Sequence, residues 1–123
     1  MIAADSSSLV AYFSGEQGAD VSALRRALIE GTLFLPPAVV AEVLSDRSAS
    51  RIEADILELQ VLPISDGYWV RAGRSRRTLH EHGLKARMGD ALIAQSCIDH
   101  DVALITRDRD FRHFAEHCGL KLA

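Results

Sequence analysis

Residues Gly89–Thr106, GDALIAQSCIDHDVALIT, decide the fold class. The first part, up to His100, has the apolar spacing of a helix and opens with an acid suited to a cap or a first turn. It feeds VALIT, residues 102–106, an all-apolar run of the kind that is buried on both faces of a parallel sheet. Helix followed directly by such a strand predicts an α/β domain.

The same alternation extends in both directions. Ile2–Ala4 is predicted as a short buried strand and Ser7–Phe13 as a short helix. From Asp20 a helix with Val21, Leu24, Leu28 and, at the margin, Ile29 on one face runs to Gly31. TLFL follows as a strand, ended by Pro36 and Pro37, and proline suits the first turn of the next helix, whose core stripe is Val39, Val40, Val43 and Leu44. Residues 51–59 are expected as an amphipathic helix, 60–65 as a strand, 66–83 as a longer helix, 110–118 as the last helix and 120–122 as a possible edge strand. The whole, residues 1–123, reads as one three-layer α/β domain with a mainly parallel sheet flanked by helices.

Composition narrows the class. Hydrophobic residues at 48% and charged residues at 25% are ordinary for a globular protein. No stretch approaches the roughly 20 apolar residues of a membrane span, and Asp5 interrupts any secretory apolar core at the N-terminus, so a cytoplasmic protein is expected. A net charge of −3 argues against a generally basic coat, so contact with nucleic acid would be local. Cys97 and Cys118 have no CxxC partner and no histidine at ligand spacing. They read as buried free thiols in preference to a disulfide or a zinc site.

Four acids then fall on one edge of the sheet. In a parallel α/β sheet the C-terminal end of each strand shares an edge with the N-terminus of the neighbouring helices. Asp5 ends the first strand, Asp108 lies just beyond the last, Glu42 is within roughly 8 Å of the start of its helix at 1.5 Å per residue, and Asp90 opens the helix before VALIT. Each has an ordinary reading alone: Asp5 and Asp90 as caps, Asp108 as a turn residue, Glu42 as a solvated helix position. Together they repel, by on the order of 4 kcal/mol per pair at about 4 Å and an effective dielectric of 20, which calls for a cation. All-oxygen ligands favour Mg²⁺ or Mn²⁺, and such ions make a phosphoester the natural substrate.

ADSSSLVAYF, LPPAVVAEVL, GDALIAQSC and LITRDRDF, in that order along essentially the whole chain, resemble the PIN domain family. In size and arrangement the chain is similar to the VapC-type toxin ribonucleases of toxin–antitoxin pairs. The resemblance implies that Asp5, Glu42, Asp90 and Asp108 form the catalytic acidic cluster, with Asp5, Asp90 and Asp108 holding Mg²⁺ or Mn²⁺. It implies supporting hydroxyls at Ser6 and Thr106 and an additional acid at Asp110. Many relatives carry Thr-Asn where this chain has Ser6 and Ser7. The implied activity is metal-assisted hydrolysis of RNA to a 5′-phosphate and a 3′-hydroxyl, with a cognate antitoxin as partner and a homodimer as assembly.

RNA also needs cations. Residues 71–87 hold six Lys and Arg with Glu81 as the sole acid, and Arg74, Arg77, Lys85 and Arg87 are the expected phosphate contacts, against the reading of a solvated helix face. His80 and His82 are expected at the surface. Val10, Tyr12, Phe13, Leu24 and Leu28 fit either a partner groove or the core. A dehalogenase-like phosphatase would want a second acid where Ser7 stands. The remaining alternative is a non-catalytic RNA-binding or protein-interaction module on the same fold.

Overall fold

The computed structural model describes residues 1–123. Four short strands, β1 (Ile2–Ala4), β2 (Leu33–Leu35), β3 (Gln60–Val61) and β4 (Ala103–Ile105), form one sheet in the order β3-β2-β1-β4, with every neighbouring pair parallel. Parallel neighbours require crossover connections. These are supplied by α1 (Ser6–Phe13), α2 (Ala19–Glu30), α3 (Pro37–Leu44), α4 (Glu53–Leu57), α5 (Tyr68–Glu81) and α6 (Met88–His100), and α7 (Phe111–Cys118) follows the last strand. No helix is long and apolar enough to cross a membrane.

Successive side chains of a strand point to opposite faces. Ala3 and Ala4 of β1, and Leu104 and Ile105 of β4, are all buried, so helices cover both faces and the architecture has three layers. α1 packs on α2 and α3, while α5, α6 and α7 pack on one another. α6 is the central helix: Ala91 and then Ile93, Ala94, Gln95, Ser96 and Cys97 are buried, as in a helix enclosed on nearly every side. Its tight exit is an αL residue, Asp101, with φ 53°, after which Val102 enters β4.

The sheet's outer edges explain where the expected elements shrink. A 3₁₀ turn at Ala49–Arg51 comes first, and the helix expected over residues 51–59 shrinks to the five residues of α4, because the chain must reverse in time for Gln60 to pair with Phe34. The strand expected over residues 60–65 is two residues long; the amide of Leu62 still donates to the Leu35 carbonyl, and Pro63, lacking an N–H, cannot continue the ladder. At the far edge, residues 120–122 contribute a single parallel bridge, Leu122 to Leu104.

In α2 the apolar face is narrower than its spacing implied. Leu24 is fully buried and Ala27 nearly so, whereas Ile29 is 80% exposed. Five residues separate Leu24 from Ile29, about 140° around a helix of 3.6 residues per turn, and that rotation carries Ile29 off the core. We expect Leu24→Ala to cost about 2–5 kcal/mol and Ile29→Ala less than about 0.5 kcal/mol in chemical denaturation. Similar losses at both positions would mean that α2 packs through a different face.

Candidate active site

Chain direction at β1 and β4 builds the site. The Asp5 amide donates to the Ile105 carbonyl at 3.1 Å, which carries the β1–β4 ladder one residue past β1 and sets Asp5 beside Thr106. The Thr106 hydroxyl donates to Asp5 Oδ2 at 2.7 Å and accepts from the Asp108 amide at 2.9 Å. Asp108 Oδ1 in turn accepts from the Asp110 amide at 2.9 Å. Thr106 thus ties the first acid to the loop that carries the last two.

Asp5 is also the N-cap of α1. Its Oδ1 accepts from the Ser8 amide at 3.1 Å, and the Ser7 hydroxyl lies 2.8 and 2.9 Å from its two oxygens. Neither Ser6 nor Ser7 takes that role. A carboxylate has about four acceptor positions, so capping and a second task are compatible. Burial pushes the Asp5 pKa up, the bonds from Thr106, Ser8 and Ser7 pull it down, and the charge of Asp108 pushes it up; the balance is a raised value.

Asp90 lies in the first turn of α6, and single carboxylate oxygens of Asp90, Asp108 and Asp110 lie within 4.8 Å of one another. Asp5 and Glu42 stand outside this trio, whereas Asp110, expected only as an additional acid, is inside it. Burial first, then the charges of Asp108 and Glu42, push the pKa of Asp90 up to about 6, against a partial offset from Arg87. Glu42, on α3, is held by the Ser6 hydroxyl, which donates to Oε1 at 2.5 Å. Its other oxygen rests against Gly89, where an added Cβ would lie 2.8 Å away. Only glycine lets Glu42 approach α6 this closely.

A cleft of about 320 Å³ runs from Asp90 and Asp110 to Arg76, His80, Lys85 and Arg87. Lys85 and Arg87, expected as phosphate contacts, line it. Arg74 and Arg77 are exposed outside the cleft lining, and Arg77 faces Glu81 at 3.7 Å. Arg76 and His80, four residues apart and therefore on one helical face, line the cleft instead; that spacing was the available signal. Arg76 Nε donates to the Ala86 carbonyl at 2.7 Å. His82 stacks on His117, with ring centroids 4.0 Å apart.

The five candidate groove residues divide. Leu24 belongs to the core, Tyr12, Phe13 and Leu28 are half-buried against it, and Val10 is exposed. Val10 and Phe13 line a second groove, of about 240 Å³, with Ala49 and Ile52. Cys97 and Cys118 are free thiols, and burial pushes Cys97 up to about 12.

The raised Asp90 value makes a pH prediction. A carboxyl whose folded pKa exceeds its unfolded one contributes stability fully below the unfolded value, 3.8, and loses it as pH rises through about 6. In EDTA, the melting temperature should therefore rise between pH 7 and pH 5, and Asp90→Asn should flatten that rise. An unchanged slope in the variant would place the titration elsewhere.

The chain is similar in fold to three solved structures. Against VapBC2 from Rickettsia felis, bound to a DNA fragment from its promoter, the TM-score is 0.77 at 21% identity, covering 100% of this chain and 98% of the other. Against VapBC-1 from nontypeable Haemophilus influenzae the values are 0.74, 17%, 100% and 97%, and against FitAcB from Neisseria gonorrhoeae 0.73, 19%, 99% and 96%. No curated protein matches by sequence. The PIN domain family model matches residues 2–117, a span that contains Asp5, Glu42, Asp90, Asp108 and Asp110. The chain belongs to the PIN domain family.

Proposed function

We propose that this PIN domain, residues 1–123, is a metal-dependent endoribonuclease and the toxin of a toxin–antitoxin pair. The observation that carries the reading is the clustering of Asp90, Asp108 and Asp110 oxygens within 4.8 Å at one end of a cleft whose wall is cationic. The donor set is all oxygen, which suits Mg²⁺ or Mn²⁺; burial raises the pKa of Asp90 first, and the charges of Asp108 and Glu42, which add to the rise, are what a cation would offset. Asp5, Asp90 and Asp108 would hold the ion, and the trio adds Asp110 to them. A bound divalent ion supplies Lewis acidity toward a phosphate and a more acidic water.

The protein's own groups do the rest. Glu42, with Oε1 bonded to Ser6 and Oε2 turned toward α6, would assist as a ligand or as the general base that takes a proton from the attacking water. Thr106 keeps Asp5 and the Asp108 loop in register. Lys85, Arg87 and the anchored Arg76 bind backbone phosphates on the way into the acids, with Arg74 and Arg77 available to a longer strand. The groove of Val10, Phe13 and Ile52 suits an apolar side of an antitoxin segment, in line with the complexes named above. A homodimer and a cytoplasmic setting belong to the same reading.

The test is incubation of the purified protein with structured RNAs in Mg²⁺, Mn²⁺ or EDTA, beside Asp5→Asn and Asp90→Asn. Cleavage should vanish in EDTA and fall by about 100-fold or more in both variants, nearly 3 kcal/mol of barrier. RNA affinity without metal-dependent cleavage would favour a non-catalytic binding module. Asp5→Asn should also raise the metal-free melting temperature while shrinking the increment that metal adds.

Glu42 has its own test in Gly89→Ala. The new Cβ displaces only the end of a flexible side chain, so stability should stay within about 1 kcal/mol. Cleavage should drop nonetheless, and full activity in this variant would remove Glu42's placement from the mechanism.

A further inference from the structure

Arg107 lies between Thr106 and Asp108, beside a group of acids, yet its guanidinium is turned away from them. Nε and Nη2 donate to the two oxygens of Asp20, at 2.8 and 2.9 Å, and Nη1 and Nη2 reach Glu16 Oε1 and the Gln17 carbonyl, both at 3.3 Å. Asp20, in the first turn of α2, also accepts from the hydroxyl of Ser8 at 2.8 Å. Ser8 is fully buried, and its amide is the one that caps onto Asp5. Gly18 makes the approach possible: a Cβ there would lie 2.6 Å from Asp20 Oδ1 and 3.2 Å from Arg107 Nη2. The guanidinium holds the carboxyl of Asp20 at about 2, so the pair is ionised at neutral pH.

We propose that Asp20 is a positioning residue that parks the Arg107 guanidinium away from the acidic cluster, so that a cation, and not Arg107, neutralises those acids. The inference rests on the metal-binding reading above. Arginine carries a permanent charge on a long flexible stem, and its planar fork matches a carboxylate. Released from Asp20, it keeps the 3.3 Å contact with Glu16, and the charge of Asp5, already felt at the guanidinium, draws it toward the acidic cluster. It would then compete with a divalent ion for the same oxygens.

The experiment is Mn²⁺ binding to the full chain, followed by electron paramagnetic resonance and by calorimetry, for the wild type, Asp20→Asn, Arg107→Met and the double variant, with melting curves to verify folding. Asp20→Asn should weaken Mn²⁺ binding roughly ten-fold, because the freed guanidinium competes for the acids. Arg107→Met should bind at least as tightly as the wild type, and the double variant should recover the affinity lost in Asp20→Asn. A merely structural clamp predicts no recovery. Equal binding by Asp20→Asn and the wild type, a double variant no better than Asp20→Asn, or weaker binding by Arg107→Met would each overturn the proposal. Should Asp20→Asn fail to fold, Asp20→Ser with and without Arg107→Met takes its place, with the same loss and the same recovery expected and the same outcomes overturning the proposal. Absence of Mn²⁺ binding in the wild type would overturn the metal-site reading itself, and this inference with it.

Discussion

The parallel register of β1 against β4 is the constraint on which the site depends. Ala4 is opposite Ile105, so the residues that follow each strand emerge side by side, Asp5 next to Thr106. A shift of one residue would exchange the inward and outward faces of a strand that is buried on both. The strand order adds the second part of the condition. From β1 the chain builds β2 and β3 on one side and then returns to place β4 on the other, so the sheet's topological switch point lies between β1 and β4. In open α/β sheets, ligands bind outside the strand ends at such a point.

The arrangement loads negative charge into one place and compensates for it only in part. Asp5 is buried and still takes bonds from Thr106, Ser7 and Ser8, which favour its ionised form. Asp90 has no hydrogen-bonding partner of that kind; it sits at the N-terminus of α6, where the helix dipole favours an anion, yet burial and the neighbouring acids dominate. The two carboxylates therefore differ in kind: Asp5 is locked in geometry, whereas Asp90 carries the greater electrostatic tension. Gly89 adds to that tension by admitting Glu42.

A separate polar network holds the cationic wall. Arg71 forms a two-point contact with Asp99, at 2.9 and 2.7 Å; Gln95 donates to Asp99 and accepts from Ser75, and the Tyr68 hydroxyl donates to the Leu92 carbonyl. These bonds pin α5 to α6 along its inner side. Arg76 and His80 consequently face the cleft, and Arg74 and Arg77 do not. Rotational setting of a helix, not its charge content, selects which arginines line the cleft.

The sequence by itself determined the order of elements, the parallel sheet and the edge at which Asp5, Glu42, Asp90 and Asp108 gather, because these follow from periodicity, proline and glycine punctuation and the direction rule of α/β sheets. What it left open was of a different type. The extent of α4 and β3, the outward position of Ile29, the inclusion of Asp110 with Asp90 and Asp108, the choice of Arg76 over Arg74 and Arg77, and the pairing of Arg107 with Asp20 were decided only by the tertiary structure. Each of these depends on distances between side chains remote in sequence, and local periodicity has no term for where a neighbouring element ends or how far it is rotated. Asp20 and Arg107, 87 residues apart in sequence, are brought together only by the fold.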